Sequence, residues 1–531
     1  MPAISQRTPI VGAASLLFGL LAAMFLAAHA MGRSGEVLLA GWLALGGLLF
    51  FSWFAVRRDI LSATCIWFGT LIILHEEFWR MQTPGFFAIT IPRVGIVVVG
   101  ALFAVMVVLG RIRLRWPGAV GLWLATLVAY FTVSAFLSGF ETRSELTVHY
   151  RLIGGYLFPV ATFAFMLHGF QREADFRRIA MFFAALSVYL VFTGWCEQFH
   201  IKGLIWPAFI ADPNVGIHFG RVRGPFVSSP QMGLALVFCF FSNLVLAKNS
   251  TRWHWPLVGV NALMLPVIFW TRTRSVWLSF VLCLVVWTWY SRRRMSRVVI
   301  VATLMAAALV VTVGNMENFR GEDRSKGGLT DVGPIMLRIG LAQMSWEMVK
   351  DHPIFGVGFG HFRDAAPSYA RDPSSPYTAF GTSALEHNNL LSIVSETGFL
   401  GLAIYLGLVV TLLKISLEVY RKLPARATGF VSRDLIVLYW ILATAYFADG
   451  MFRETSDSPF ANCLFYGLTA APVALWLAIR RDGIEALQPT PAVAEPDPSP
   501  WRHTVGRRTR PFGGNRISEF DGGGASHFGD G

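Results

Sequence analysis

Charge is the scarcest commodity in this sequence. Asp, Glu, Lys and Arg together supply 15% of its 531 residues, against about a quarter in soluble domains. With 54% hydrophobic residues and a mean hydropathy of +0.53, an ordinary soluble domain is excluded. Cysteine is scarce as well. Cys65, Cys196, Cys239, Cys283 and Cys463 are odd in number, scattered, and never spaced Cys-x-x-Cys. That pattern excludes a disulfide framework and a cysteine zinc site, and it leaves the five as small buried hydrophobes. Also missing are a Gly-x-x-x-x-Gly-Lys-Ser/Thr phosphate loop, a His-Glu-x-x-His pair and any Asp-x-Asp. Nothing in the chain nominates a nucleotide, a metal or another cofactor.

What the chain has in abundance is apolar runs of about 20 residues, the length that spans a bilayer. They lie near 10–29, 36–56, 60–75, 86–109, 117–139, 152–169, 179–198, 229–247, 255–271, 275–290, 297–314, 389–413, 434–452 and 459–479. The expected fold class is an all-α polytopic membrane protein of about 14 transmembrane helices, with a large loop, 315–386, between the eleventh and twelfth. Arg7, an apolar run and Ala28-His29-Ala30 look like a secretory signal. The run is longer than the apolar core of such signals, so it reads as an uncleaved first span. Residues 1–150 form an N-terminal group of helices, 151–480 a second transmembrane domain that includes the loop, and 481–531 a Pro-, Gly- and Arg-rich tail expected to be disordered.

The net charge of +13 does not point to nucleic acid, because the basic residues sit mainly in short loops between spans. There they set orientation. One alternating set of loops, including Arg57, Arg58, Arg111, Arg113 and Arg115, holds about twice as many Lys and Arg as the other. Both termini are therefore expected in the cytoplasm. The large loop, the arginines at 221, 223, 272 and 274, and His387 are expected outside. Membrane lipids and an anionic substrate are the implied partners.

Glu386-His387-Asn388-Asn389 stands at the mouth of an apolar run. Read as a helix at about 100° per residue, Gly398 falls about 20° from His387 and Gly401 about 40° to the other side. That would give one face with an imidazole at the membrane rim and two small residues below it for close helix packing. Glu396, inside the span, is expected to form a structural ion pair or helix–helix hydrogen bond. Arg221 and Arg223 precede a span, and Thr271-Arg272-Thr273-Arg274-Ser275 is a tight outward turn that runs against the positive-inside tendency. Arginine offers a planar fork of donors suited to phosphate. Pro334–Lys350 reads as an amphipathic helix along the membrane surface that carries Arg338. Asp351 to Gly360 follows as a glycine-rich turn, and 361–385 as loop. His387 is the nearby group that titrates near neutral pH. Taken singly, each feature also has a bland reading as a headgroup anchor, a snorkelling arginine or an interfacial histidine.

Together these residues resemble a known family. His387-Asn388, nine residues, then Gly398-Phe399-Leu400-Gly401 is similar to the His-Asn-x9-Gly-x-x-Gly pattern of the O-antigen ligase and polymerase superfamily. Trp346, Asp351-His352-Pro353-Ile354-Phe355-Gly356-Val357-Gly358, Arg223-Gly224-Pro225-Phe226 and Arg274-Ser275 resemble its other motifs. The resemblance implies a membrane glycosyltransferase of GT-C-like architecture in the bacterial inner membrane. Such an enzyme moves an assembled glycan from undecaprenyl pyrophosphate to an acceptor hydroxyl at the periplasmic face without a metal. It implies His387 as the catalytic base or orienting group, and Arg223, Arg274 and Arg338 as pyrophosphate ligands with Arg221 and Arg272 in reserve. Asn388, Gly398 and Gly401 are the remaining motif residues. The acceptor could be lipid A core, a second lipid-linked glycan, as in exopolysaccharide polymerisation, or a protein side chain, as in O-oligosaccharyltransferases. A glycan transporter or flippase is the competing reading. It requires polar residues deep in several spans, and few are present.

Overall fold

A computed structural model describes residues 59–81, 88–140, 148–290, 333–370, 387–424, 430–456 and 458–482. The apolar runs at 10–29, 36–56 and 297–314, most of the tail, and loop residues 315–332 and 371–386 lie outside the described residues. Each of the other eleven runs is a helix. In chain order the helices are α1 (Ile60–Ile73), α2 (Ile91–Val108), α3 (Ala119–Ser138) and α4 (Val148–Leu152). A π-turn at Ile153–Leu157 leads from α4 into α5 (Phe158–Gly169). Then come α6 (Glu173–Gln198), α7 (Ser229–Lys248), α8 (His254–Trp270), α9 (Arg274–Tyr290), α10 (Gly333–Asp351) and α11 (Phe362–Tyr369). The last three are α12 (Asn389–Lys422), α13 (Arg433–Gly450) and α14 (Pro459–Asp482). Among the described residues the strands are one antiparallel pair of two residues each, Arg80–Met81 with Ile89–Thr90. The architecture is that of an all-α membrane protein. Among the described residues, seven helices, counting α4 to α5 as one, are long and apolar enough to cross a bilayer.

Apolar composition explains the helices, and side-chain caps explain where several begin. Backbone groups in hydrocarbon must bond within their own segment, and the helix does this. Asp59 caps α1 by accepting from the Ser62 N–H at 3.0 Å. Thr90 caps α2, and Pro92 fits its first turn. The central helix is α7, 83% buried, packed by α6, α8, α9 and α13; α2 and α3 are 28% buried and turn apolar faces outward. Val108, Phe136 and Leu137 lie on those faces. Such faces suit lipid rather than water.

Helix polarity decides what shares an end of the bundle. The Lys248 ammonium at the end of α7 pairs with Asp434 at the start of α13. The Cys283 thiol, halfway along α9, meets the Ile441 carbonyl, halfway along α13, at 3.4 Å. A Cβ on Gly233, early in α7, would lie 2.2 Å from the Val276 side chain, early in α9, so these two helices run in one direction and both start where α13 ends. Gly450, at the end of α13, lies beside Asn389, at the start of α12. The Val222 N–H, just before α7, donates to the Trp270 carbonyl that ends α8 (3.1 Å). One end of the bundle therefore gathers the starts of α7, α9 and α12 and the ends of α8 and α13.

One sequence expectation needs correction and a second is refined. Residues 361–385 do not begin as loop, since Phe362–Tyr369 is a helix. The 334–350 helix is present as α10, but its apolar positions divide. Leu341, Met344 and Met348 are buried against Phe362 and Ala366 of α11, whereas Ile335, Ile339 and Trp346 are exposed. The reason is tertiary: α11 supplies a partner for one stripe of α10 that the sequence around α10 does not reveal.

Candidate functional site

The residues around His387 are not a continuous helical face. His387 precedes α12, and Asn388 is the cap, its side-chain oxygen accepting from the Leu390 and Leu391 N–H groups at 3.0 and 3.1 Å. Asn388→Ala should cost about 1 kcal/mol of stability while Asn388→Asp keeps most of it, a difference readable in thermal melts. Farther on, Gly398 has φ +66° and ψ −174°, so the helix breaks there. The expected shared face of His387, Gly398 and Gly401 does not exist, because phase is lost at the break.

The break is filled by the glycine-rich turn after α10. Val357 N–H donates to the Ser395 carbonyl and Gly358 N–H to the Glu396 carbonyl, both at 2.9 Å. In return, the Phe399 N–H donates to the Pro353 carbonyl (2.8 Å) and the Leu400 N–H to Ile354 (3.4 Å). The two helical bonds that Gly398 removes are thus replaced by four to an inserted segment. The Thr397 carbonyl accepts from the Tyr130 hydroxyl of α3 at 2.7 Å. A Cβ on Gly398 would sit 2.0 Å from the Ile354 oxygen, and one on Gly356, at φ +70°, 2.3 Å from the Glu396 carbonyl carbon. These glycines permit backbone to cross backbone. Gly401 serves differently: Tyr130 of the neighbouring helix would come within 3.1 Å of its Cβ.

Beside the break lies a buried charge cluster. Arg151 of α4 grips Glu396 bidentately, Nη1 to Oε1 at 2.7 Å and Nη2 to Oε2 at 3.0 Å. It also donates to Glu454, to Ser456 Oγ (3.0 Å) and to Ser392 Oγ (3.5 Å), and it lies over the Phe359 ring. The ion pair expected of Glu396 is present. Its partner, Arg151, stands 245 residues away in the chain. The Thr455 hydroxyl donates to Asn389 Oδ1 at 2.9 Å, which ties the same segment to the first turn of α12.

The arginines fall into distinct environments. Arg223 is 1% exposed, and its guanidinium donates to the carbonyls of Ile210, Asp212 and Val215 and lies over Phe219. Burial lowers its pKa, with Glu197 and Asp212 opposing the shift. Its contacts are those of a staple closing the 199–228 loop. The backbone N–H groups of Arg223 and Gly224 meanwhile bond the Glu197 carboxylate. Arg221 is half-buried on the same loop, next to the Val222–Trp270 bond. Arg272 adopts a left-handed φ of +47° and donates to the Gly220 carbonyl at 3.2 Å. Arg274 opens α9 at the level of Gly450. Arg221, Arg272 and Arg274 are thus brought to adjoining turns. Arg338 of α10 lies 5.6 Å above the Phe452 ring, and the neighbouring Met451 sulfur meets the Asn388 amide. The segment after α13 is what Arg338 and Asn388, the residue next to His387, have in common.

An apolar groove of about 740 Å³ runs between α9, α12 and α13. Leu282, Val286, Val409 and Phe447 line it, and Asn389, Gly450 and Met451 stand at its His387 end.

No curated protein matches the chain. Residues 259–406, from within α8 to within α12, match the family model described as O-antigen ligase. The match takes in Arg272, Arg274, Arg338, the 353–360 turn, His387 and the Gly398 break, and it leaves Arg151, Arg221, Arg223 and Glu454 outside. Residues 259–406 are therefore similar to the O-antigen ligase family, and this match supports the chain's resemblance to the O-antigen ligase and polymerase superfamily.

Proposed function

We propose that the protein transfers an assembled glycan from undecaprenyl pyrophosphate to an acceptor hydroxyl at the periplasmic face of the bacterial inner membrane. The observation that carries this reading is the convergence of His387 and three arginine-bearing elements on the bundle end where the apolar groove terminates. A polyprenyl chain needs an apolar seat, and a pyrophosphate needs cations at the mouth of that seat. The groove lies between α9 and α12, whose first turns adjoin Arg274 and His387. His387 takes or orients the acceptor proton as the hydroxyl oxygen attacks the anomeric carbon. The bond from that carbon to the pyrophosphate oxygen breaks, and undecaprenyl pyrophosphate leaves with its charge held by arginines.

Among those arginines, Arg221, Arg274, Arg338 and Arg272 are the ligands in this reading, and Arg223 serves the loop that carries Arg221. The guanidinium of Arg223 is committed to three carbonyls, which recommends the exchange. Arg221→Gln and Arg274→Gln should each raise the KM for lipid-linked donor about tenfold, as loss of a charged hydrogen bond implies. Arg223→Lys should instead lower thermal stability, since an ammonium cannot serve three carbonyls from a planar fork. Loss of stability in the first two with donor KM unchanged would reverse the assignment.

The test of the function is reconstitution in proteoliposomes with an undecaprenyl-pyrophosphate-linked oligosaccharide and an envelope lipid fraction. Release of undecaprenyl pyrophosphate with a new glycan product supports transfer. Movement of intact lipid-linked glycan across the bilayer, with no covalent product, would mean a flippase. Product analysis in a deletion strain separates the acceptors: polymer retained on its carrier indicates a ligase, and loss of polymer a polymerase.

A further inference from the structure

The Arg151–Glu396–Glu454 cluster is not absorbed by the chemistry proposed above. Three charged side chains, each with at most 4% exposure, meet beside a helix break. Buried ion groups of this kind add little net stability, and apolar replacements of similar volume are often neutral or stabilising. Their value is geometric: a guanidinium fork accepts partners only in fixed directions.

The directions here converge on one short object. Because the helix breaks at Gly398, residues 389–397 form a segment that the rest of α12 does not orient through continuous helical bonds. One face of that segment carries Asn389, Ser392 and Glu396, spaced three and four apart. Each of these three is gripped. Arg151 holds Ser392 and Glu396, and Thr455 holds Asn389. Arg151 also holds Ser456 and Glu454, flanking Thr455, so both grips belong to one rigid assembly. The Phe362 N–H, arriving from the inserted loop, donates to Glu396 Oε1 at 3.3 Å. Thr455 is further braced, through the Tyr446 hydroxyl, to Asn462, whose amide donates to the Gly155 carbonyl in the π-turn four residues after Arg151. The residue that this segment presents at its free end is Asn388, and beyond it His387.

We propose that Arg151, with Glu396 and Glu454, is a positioning cluster that sets the azimuth of residues 389–397 and so aims His387 at the reacting hydroxyl. The proposal rests on the transferase reading. In it Arg151 touches neither substrate, so its loss should affect turnover and leave donor affinity alone.

The experiment compares wild type, His387→Ala, Arg151→Lys and the apolar triple variant Arg151→Met/Glu396→Leu/Glu454→Met. All are placed in the same proteoliposome assay of undecaprenyl pyrophosphate release from lipid-linked oligosaccharide, with thermal melts in parallel. Arg151→Lys is expected to lower kcat at least tenfold with donor KM changed less than twofold. The triple variant is expected to melt at or near the wild-type temperature and to show a still lower kcat. A triple variant that folds and turns over at the wild-type rate would show a purely structural cluster and overturn the proposal. So would Arg151→Lys with a raised KM and unchanged kcat, which would mean donor contact. Failure of both variants to fold would make the cluster a folding element and equally overturn it. If wild type itself releases no undecaprenyl pyrophosphate, the transferase reading fails instead, and the inactive wild type distinguishes the two failures.

Discussion

His387→Ala is expected to abolish glycan transfer while the protein still inserts and melts as wild type does. A positioned acid–base group contributes about 10²–10⁴-fold, and loss within that range is the expected drop in kcat. Stability should be spared because His387 lies ahead of the cap and belongs to no helix. In cells the variant should leave lipid-linked glycan unprocessed. The measurement is the rate of undecaprenyl pyrophosphate release beside a melting curve. Full activity in His387→Ala would remove the imidazole from the mechanism and leave the groove and the arginine-bearing turns near its end as a binding site alone.

Gly398→Ala is expected to be the most damaging single methyl group in the described chain. Its conformation, φ +66° and ψ −174°, belongs to a region almost restricted to glycine, with strain of about 1–3 kcal/mol for other residues. The added carbon would also sit 2.0 Å from the Ile354 oxygen, a backbone atom that cannot rotate away. Relief requires the 353–358 segment to withdraw. That withdrawal would strip partners from the Phe399 and Leu400 N–H groups and the Ser395 and Glu396 carbonyls. Unsatisfied backbone groups within hydrocarbon cost several kcal/mol each. Little folded protein should survive detergent extraction, as size-exclusion profiles would show. Gly401→Ala is the control. Its Cβ would meet Thr397 Oγ1 at 2.0 Å, but that is a side chain, free to change rotamer. Gly401→Ala should therefore be the milder of the two, and equal tolerance of both would mean that the loop does not cross the helix at Gly398.

The contrast between these two glycines shows how far the sequence could be read. Both stand in one recognisable spacing after His387, and helical periodicity assigned them one role, close packing of a neighbouring helix. Periodicity presumes an unbroken helix. A break depends on a segment some forty residues away offering carbonyls and N–H groups at the right level, and no local pattern in 389–422 records that. The glycines of 353–360 were visible as a turn, without the helix they enter.

The arginines teach the same lesson. Arg221 and Arg223 are one residue apart and chemically identical, so choosing between them from sequence was arbitrary. The loop closes with one side chain among three carbonyls and the other half-exposed beside the Arg272 turn. Glu396 was legible as a structural carboxylate because a charge amid apolar residues needs a partner. Arg151 was not legible as that partner, because an arginine near the start of a span looks the same whether it faces headgroups or a buried carboxylate.

By itself, then, the sequence determined that eleven apolar runs among the described residues are helices, that the candidate residues gather between spans, and the motif that the family match covers. Those features depend on apolar length, hydrogen bonding within a segment and residue order, all of which are local. The tertiary structure alone decided that α12 is broken and refilled, that Arg151 joins Glu396 to Glu454, and that Arg223 closes a loop. It also decided that Arg338 and Asn388 meet the segment after α13. Each of these is a contact between residues far apart in the chain, set by which helices pack side by side and in which direction they run.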